Sequence, residues 1–210
     1  MISSGSKELD EFLDGYGKEI SLIYGPAASG KTTLCLICLC SMLKNDKKIV
    51  FLDTENSFSI ERFVQLCGPA YLTMLDRLLL IKINSFAEQC EKINSLINLV
   101  NIDLIIVDSL GVYYRKEIHG DPKEINKKMD RQLRLLTEIS RKGTHILLTN
   151  QISTNPADGS VKMVGGEMIK KWCKKVVELK KEPKRKIVLI KPEEKETYFD
   201  ILSNGIKIAA

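Results

Sequence analysis

At 210 residues, 44% of them apolar and 28% charged, the chain has the size and composition of one globular domain with a single sizeable core. Its longest near-continuous apolar run, Leu34 to Leu43, is broken by Ser41 and too short to cross a bilayer, and the acidic start "MISSGSKELDEFLDG" lacks a signal-peptide core. A membrane or secreted protein is thereby excluded in favour of a cytoplasmic one, and the mild net charge of +5 hides a basic tract, eleven Lys/Arg against three Glu between Lys162 and Lys191, that suits an anionic partner.

Apolar, β-rich runs alternate with helical patterns through most of the chain. Strands are predicted near Glu19 to Tyr24, Lys48 to Asp53, Arg77 to Ile83, Ile102 to Asp108 and Thr144 to Asn150. Helices are predicted between them at Lys31 to Lys44, Ser59 to Cys67, Ser85 to Asn98 and Pro122 to Lys142. The first of these helices carries Cys35, Cys38 and Cys40. A zinc ribbon places such cysteines on a turn with a second ligand pair elsewhere, and there is no second C-x-x-C, so the cysteines read as small buried side chains. Near-continuous strands such as "LIIVD" and "HILLT" suit a largely parallel, twisted sheet covered by helices on both faces.

Beyond Gln151 the pattern breaks. "STNPADGSVKMVGGE" has loop composition, a short helix follows from Glu167 to Cys173, and "KKVVELKK" and "RKIVLIK" read as strands. The final "TYFDILSNGIKIA" reads as two strands turning at Asn204-Gly205. An antiparallel extension at one sheet edge is expected. No linker or composition shift divides the chain, so residues 1 to 210 are read as one domain.

Gly25-Pro26-Ala27-Ala28-Ser29-Gly30-Lys31-Thr32 fits G-x-x-x-x-G-K-[ST], between a predicted strand and a predicted helix. Glycines let successive N–H groups turn toward phosphates, Lys31 offers a positive charge to the β- and γ-oxygens, and the Thr32 hydroxyl can ligate Mg²⁺. With Thr33 these residues form the expected nucleotide site, for ATP. Asp108 ends "LIIVD" at the strand edge where a second Mg²⁺ residue is needed. "FLDTENSF" places Asp53 and Glu55 at the end of the next strand. Glu55 is the candidate general base, with an exposed turn residue as the plain alternative, and Asp53 reads as fixing the turn or the metal's outer shell.

The ordered set "GPAASGKTTL", "FLDTENSFSIER", "LIIVDS", "LLTNQIS" and "VGGEMI" resembles the RecA-type recombinase ATPase core, and within it the short archaeal RadB paralogs, over residues 4 to 209. The resemblance implies a P-loop NTPase of RecA-like fold without an N-terminal helix-hairpin-helix domain. It implies catalytic roles for Lys31, Glu55 and Gln151, the last as the amide that senses the γ-phosphate and relays it to a DNA-binding loop. It also implies two such loops, at Leu110 to Asp121 and Ser153 to Val164. Candidate DNA contacts are Tyr114, Arg115 and Lys116 in the first, then Lys162, Lys170 and Lys171, with Lys174 and Lys175 further along the tract. Tyr113 and Tyr114 can equally pack beneath the long helix, and the lysines can be a solvated face.

The function implied is a DNA-binding accessory ATPase of homologous recombination and repair, with weak Mg²⁺-dependent turnover and a nucleoid location. Its partners would be single-stranded or branched DNA, a RadA-type recombinase and a Holliday-junction nuclease, with the chain a monomer or weak homo-oligomer. A nucleotide-switched interaction module is the alternative. A small-molecule phosphotransferase would need an arginine-lined lid, and the seven arginines do not cluster.

Overall fold

The structure, a computed structural model, describes residues 1–154 and 160–209. Its elements run α1 (Lys7–Leu13), β1 (Ile20–Gly25), α2 (Lys31–Lys44), β2 (Ile49–Asp53), α3 (Ile60–Cys67), β3 (Leu78–Lys82), α4 (Phe86–Ser95), β4 (Leu104–Asp108), α5 (Gly111–Glu117), α6 (Pro122–Arg141), β5 (His145–Thr154), β6 (Val161–Met163), α7 (Gly166–Lys170), β7 (Lys175–Lys180), β8 (Lys186–Lys191), β9 (Lys195–Leu202) and β10 (Gly205–Ile208). Among the described residues the strands join in the order β10-β9-β8-β7-β1-β5-β4-β2-β3, with β6 paired to β5.

The stretch from β7 to β3 is parallel, because each strand returns through a crossover, and β8, β9 and β10 add on antiparallel. Strand residues alternate between two covered faces. Ile23, Phe51, Leu104 and Ile106 pack toward α2 and α3, while Leu22, Leu52, Ile105 and Val107 pack toward α4 and α6. This double coverage explains why the strands carry no polar alternation.

Helix α6 shows how sequence sets an element. Asp121 caps it by accepting from Lys123 N and Glu124 N, Pro122 opens the first turn without needing a donor, and Ile125, Met129, Leu133, Leu136 and Ile139 recur on one buried face. Leu133 and Leu136 are fully buried, so truncating either to Ala removes about 2–5 kcal/mol. Helix α2 is different. It is buried nearly all round, from Leu34 to Cys40, since the sheet, α3 and the C-terminal strands enclose it.

Three expectations are corrected. The segment Leu110 to Asp121 is not a loop, since Gly111 to Glu117 forms α5, held because Leu110 and Tyr114 are buried against the α4–α6 layer. Cys40 does not act as a lone small side chain but forms a disulfide with Cys67 of α3, their Cα atoms 5.2 Å apart; Cys35, Cys38 and Cys173 are buried free thiols and Cys90 is half-buried. Lys175 is not a surface cation either. Its ammonium is buried and donates to the carbonyls of Leu13, Asp14 and Gly15, which end α1. Among the described residues no helix is long and apolar enough to cross a membrane.

Candidate nucleotide site and nucleic-acid segments

Parallel strands end together, and register decides which residues meet. Gly25 at the end of β1 pairs with Gln151 of β5, and Asp53 at the end of β2 pairs with Asp108 of β4. The loop from Gly25 to Gly30 therefore rises at the same edge as Glu55, Asp108 and Gln151. Together with Ser57 and Ile201 they line a cleft of 270 Å³.

The loop's shape depends on its glycines. Gly25 has φ +155°, and a Cβ there would stand 2.3 Å from the Leu179 carbonyl oxygen; Gly30 has φ +111° and starts α2. Lys31 is 8% exposed, and its ammonium donates to the carbonyls of Gly25 at 3.0 Å and Pro26 at 2.7 Å. Burial pushes its pKa down, with Glu55 and Asp108 pulling it partly back.

Asp108 is 2% exposed and gathers hydroxyls. Thr32 Oγ1 donates to Oδ2 at 2.7 Å, Ser57 Oγ at 3.1 Å, and Thr149 Oγ1 donates to Oδ1. Burial raises its pKa, the hydroxyls of Thr149 and Thr32 oppose that rise, and the Glu55 charge adds to it. A hydroxyl and a carboxylate 2.7 Å apart beside a phosphate-cradling loop are hard oxygen donors of the kind Mg²⁺ takes, so the residues fit a Mg²⁺–nucleotide. Asp53 serves the turn, accepting from Ser57 N at 3.0 Å and Phe58 N at 3.1 Å.

Glu55 is exposed at the mouth of the cleft, and both carboxylate oxygens are engaged. Ser109 Oγ donates to Oε1 at 2.5 Å and Gln151 Nε2 donates to Oε2 at 2.6 Å. Its main chain faces the other way, since the Gln151 main-chain carbonyl accepts from Val164 N at 3.0 Å. Next to it, Asn150 is fully buried, donates to the Val164 carbonyl at 2.6 Å, and sits so close to Gly111 that a Cβ there would be 2.2 Å from Asn150 Oδ1. The end of β5 thus touches the cleft, the start of α5 and the segment after β6.

The chain matches the RecA N-terminal domain family over residues 1–170. Its relatives include the DNA repair and recombination protein RadB of Methanococcus maripaludis (strain C7 / ATCC BAA-1331), 35% identical over 211 residues that cover 95% of this chain and 97% of that protein. The RadB of Thermococcus kodakarensis (strain ATCC BAA-918 / JCM 12380 / KOD1) is 35% identical over 222 residues, 99% of both chains. A solved structure described as the crystal structure of the RadB recombinase superposes with a TM-score of 0.79 at 33% identity, covering 100% of each chain. The chain belongs to the RadB branch of the RecA family.

In this RadB-type fold the expected DNA residues fall into two groups. Arg115, Lys116 and Lys162 are exposed on segments that leave the neighbouring strands β4 and β5 at the cleft edge. Lys116 lies 4.8 Å above the Tyr113 ring, whose hydroxyl donates to the Ile83 carbonyl. Tyr114 offers no stacking face, being 8% exposed, with its hydroxyl donating to Asn126 Oδ1 and its ring edge-on to Phe86. Lys170 is half-buried, 3.6 Å from Glu167 Oε1 and over the Tyr24 ring, and Lys171 is exposed with its ammonium 3.7 Å from Asp130 Oδ1. The expected second loop, Ser153 to Val164, includes residues 155–159, which lie outside the described residues.

Sequence reading missed Ser57, Ser109, Thr149, Asn150 and Ile201. The first four adjoin recognised motifs, and their hydroxyl or amide groups beside Asp108, Glu55 and Gln151 are the signal that could have found them. Ile201 has no local signal, because its contact with Gly30 spans most of the chain.

Proposed function

We propose that this chain is a DNA-binding ATPase that assists homologous recombination and repair, turning over Mg²⁺–ATP slowly. The observation that carries the reading is the placement of Gln151, which donates to Glu55 through its side-chain amide and accepts from Val164 N through its main-chain carbonyl. One residue therefore joins the triphosphate cleft to a candidate DNA segment. The relatives named as DNA repair and recombination proteins support the same reading.

In this account the loop amides and Lys31 hold the triphosphate, and Thr32 with Asp108 holds the cation. Bound Mg²⁺ would neutralise charge on the phosphate oxygens. Glu55 takes the proton of the attacking water, while Ser109 and Gln151 fix which way its oxygens point. Arg115, Lys116 and Lys162 contact DNA phosphates. We further propose a RadA-type recombinase or a junction-cleaving nuclease as the protein that it assists.

A second reading, a switch in which hydrolysis is incidental, draws on the same geometry, because both Glu55 oxygens already have protein donors. DNA binding itself is tested by titrating single-stranded DNA at several salt concentrations. Neutralising Arg115 and Lys116 together should lower the salt-dependence slope by about 1.4, the value for two lost phosphate contacts. An unchanged slope would remove these residues from the interface.

A further inference from the structure

A second cleft, of 480 Å³, lies between α4 and α6 where α5 ends, and it shares no residue with the nucleotide cleft. Its floor is apolar, made by Phe86, Ile125 and Leu135. Gln132, the amide at the floor, is 2% exposed and already paired, accepting from Gln89 Nε2 at 2.9 Å and donating to Cys90 Sγ at 3.2 Å. The rim is charged and divided. Glu91 and Glu117 come from α4 and α5, while Lys128 and Arg131 come from α6. Burial pushes the Cys90 thiol pKa up, and the charges of Lys128 and Arg131 hold it partly down, so both cations act on the cleft.

The basic side continues past the cleft. Arg131 and Leu135 also line a hollow of 320 Å³ with Lys127, Asp130 and Arg134. Asp130, the acid there, is shared among Arg134, Lys171 and the Trp172 ring N–H, and Lys128 is paired with Glu124 at 2.7 Å. Lys127 and Arg131 are exposed and have no hydrogen bond or ion pair among the described residues. They belong to a helix with six basic residues against three acidic ones, so positive charge stands unmatched beside an apolar floor. From Lys127 to Arg134 this face runs about 10 Å along α6, or two turns. A phosphate backbone would satisfy the cations and leave the floor uncovered, and a small anion would reach only one of them. A protein helix with an apolar ridge and flanking carboxylates meets both.

We infer that the α4–α6 cleft is a docking groove for an acidic amphipathic helix of another protein. Its apolar side chains sit over Phe86, Ile125 and Leu135, and its carboxylates face Lys127 and Arg131. Glu91 and Glu117 on the α4–α5 side set which way round the helix lies, because they repel its acidic edge. The inference extends the accessory reading above by naming the face that meets a partner, and its occupation needs neither ATP nor DNA.

The test selects binders to the whole chain from a displayed library of random peptides of about 16 residues, some four helical turns, without ATP or DNA. Selected peptides should carry apolar residues at helical spacing with Asp or Glu beside them. At about ten times its Kd each should slow maleimide labelling of Cys90 about tenfold in the unaltered protein, where the free thiols of Cys35, Cys38 and Cys173 are buried. Lys127→Ala with Arg131→Ala should weaken these peptides about tenfold and leave single-stranded DNA affinity within about threefold, while Lys127→Arg with Arg131→Lys should keep peptide affinity. No enrichment, selected peptides that are basic, or peptides that leave Cys90 labelling unchanged would overturn the groove. So would DNA affinity that falls as far as peptide affinity, since the face would then be a nucleic-acid surface. ATP binding that survives Lys31→Met would sink the nucleotide reading and leave the groove standing, so the two failures are distinguishable.

Discussion

Replacing Lys31 by Met separates what the loop lysine does for a ligand from what it does for the fold. Its ammonium makes two charge-assisted hydrogen bonds, to the Gly25 and Pro26 carbonyls, at the mouth of the loop where phosphate oxygens can take their place. Two such bonds to phosphate are worth about 3–6 kcal/mol, or a hundredfold and more in affinity. For the protein without nucleotide, losing the carbonyl contacts is offset by no longer burying an ammonium whose pKa is already pushed down by desolvation. Stability should therefore change by less than about 2 kcal/mol.

Thermal unfolding with and without Mg²⁺–ATP reads both effects. At a ligand concentration of about 100 times Kd the unaltered chain gains about 2.7 kcal/mol, a rise of roughly 5–10 °C for a chain of this size. A hundredfold weaker variant at the same concentration sits at its own Kd and gains about 0.4 kcal/mol, roughly 1 °C. A variant that kept the full rise would refute the assignment of Lys31. One that unfolded far below the unaltered protein without nucleotide would refute the balance between burial and bonding.

Glu55→Gln leaves a side chain of the same shape that cannot take a proton, so turnover should fall by about 10²–10⁴ while ATP affinity stays within about threefold. A fall of less than about tenfold in single-turnover assays would favour the switch reading. His145 predicts a pH effect remote from the cleft. It is 7% exposed, its Nδ1 lies 3.1 Å from the Asp103 carbonyl, Nε2 has no partner among the described residues, and burial lowers its pKa. A depressed folded pKa means the contribution is complete above the unfolded value of about 6.5 and is lost as pH falls through the folded value, at no more than about 1.4 kcal/mol per pH unit. Denaturant midpoints at pH 7 and pH 5 should fall further for the unaltered protein than for His145→Phe, and equal falls would count against a neutral buried imidazole.

The parallel strands were legible because their apolar runs are unbroken and bounded by turn residues, and Asn204-Gly205 marked the last hairpin. Helix α5 was not. "GVYYRKE" begins with glycine and holds β-branched and aromatic residues of middling helix propensity, so its conformation is decided by burying Leu110 and Tyr114 beneath α4 and α6. Helix α1 escaped notice for a related reason, since its seven residues are held by a Ser6 cap and by the ammonium of Lys175, distant in sequence. The Cys40–Cys67 pair joins two helices and leaves no trace in local spacing.

The site divides the same way. Phosphate-loop residues, Glu55, Asp108 and Gln151 lie in short motifs whose chemistry is local, so they could be named from the residues and from the resemblance. Which partner each one touches is a matter of register, and register places Gln151 beside Gly25. Lys175 was misread for the opposite reason, since residue type suggested nucleic acid while helix-end carbonyls claimed it, and of the two readings open for Tyr114 packing beneath α6 is the one found.

The central claim is that Gln151 couples the nucleotide cleft to the DNA segments, and coupling between two ligands is a measurable free energy. The decisive measurement is the affinity for single-stranded DNA with and without a non-hydrolysable ATP analogue, in the unaltered chain and in Gln151→Ala. The account predicts that the analogue tightens DNA binding by about 5–150-fold in the former, and that the variant binds each ligand alone within about threefold of normal but shows no tightening. Undiminished coupling in Gln151→Ala would contradict it.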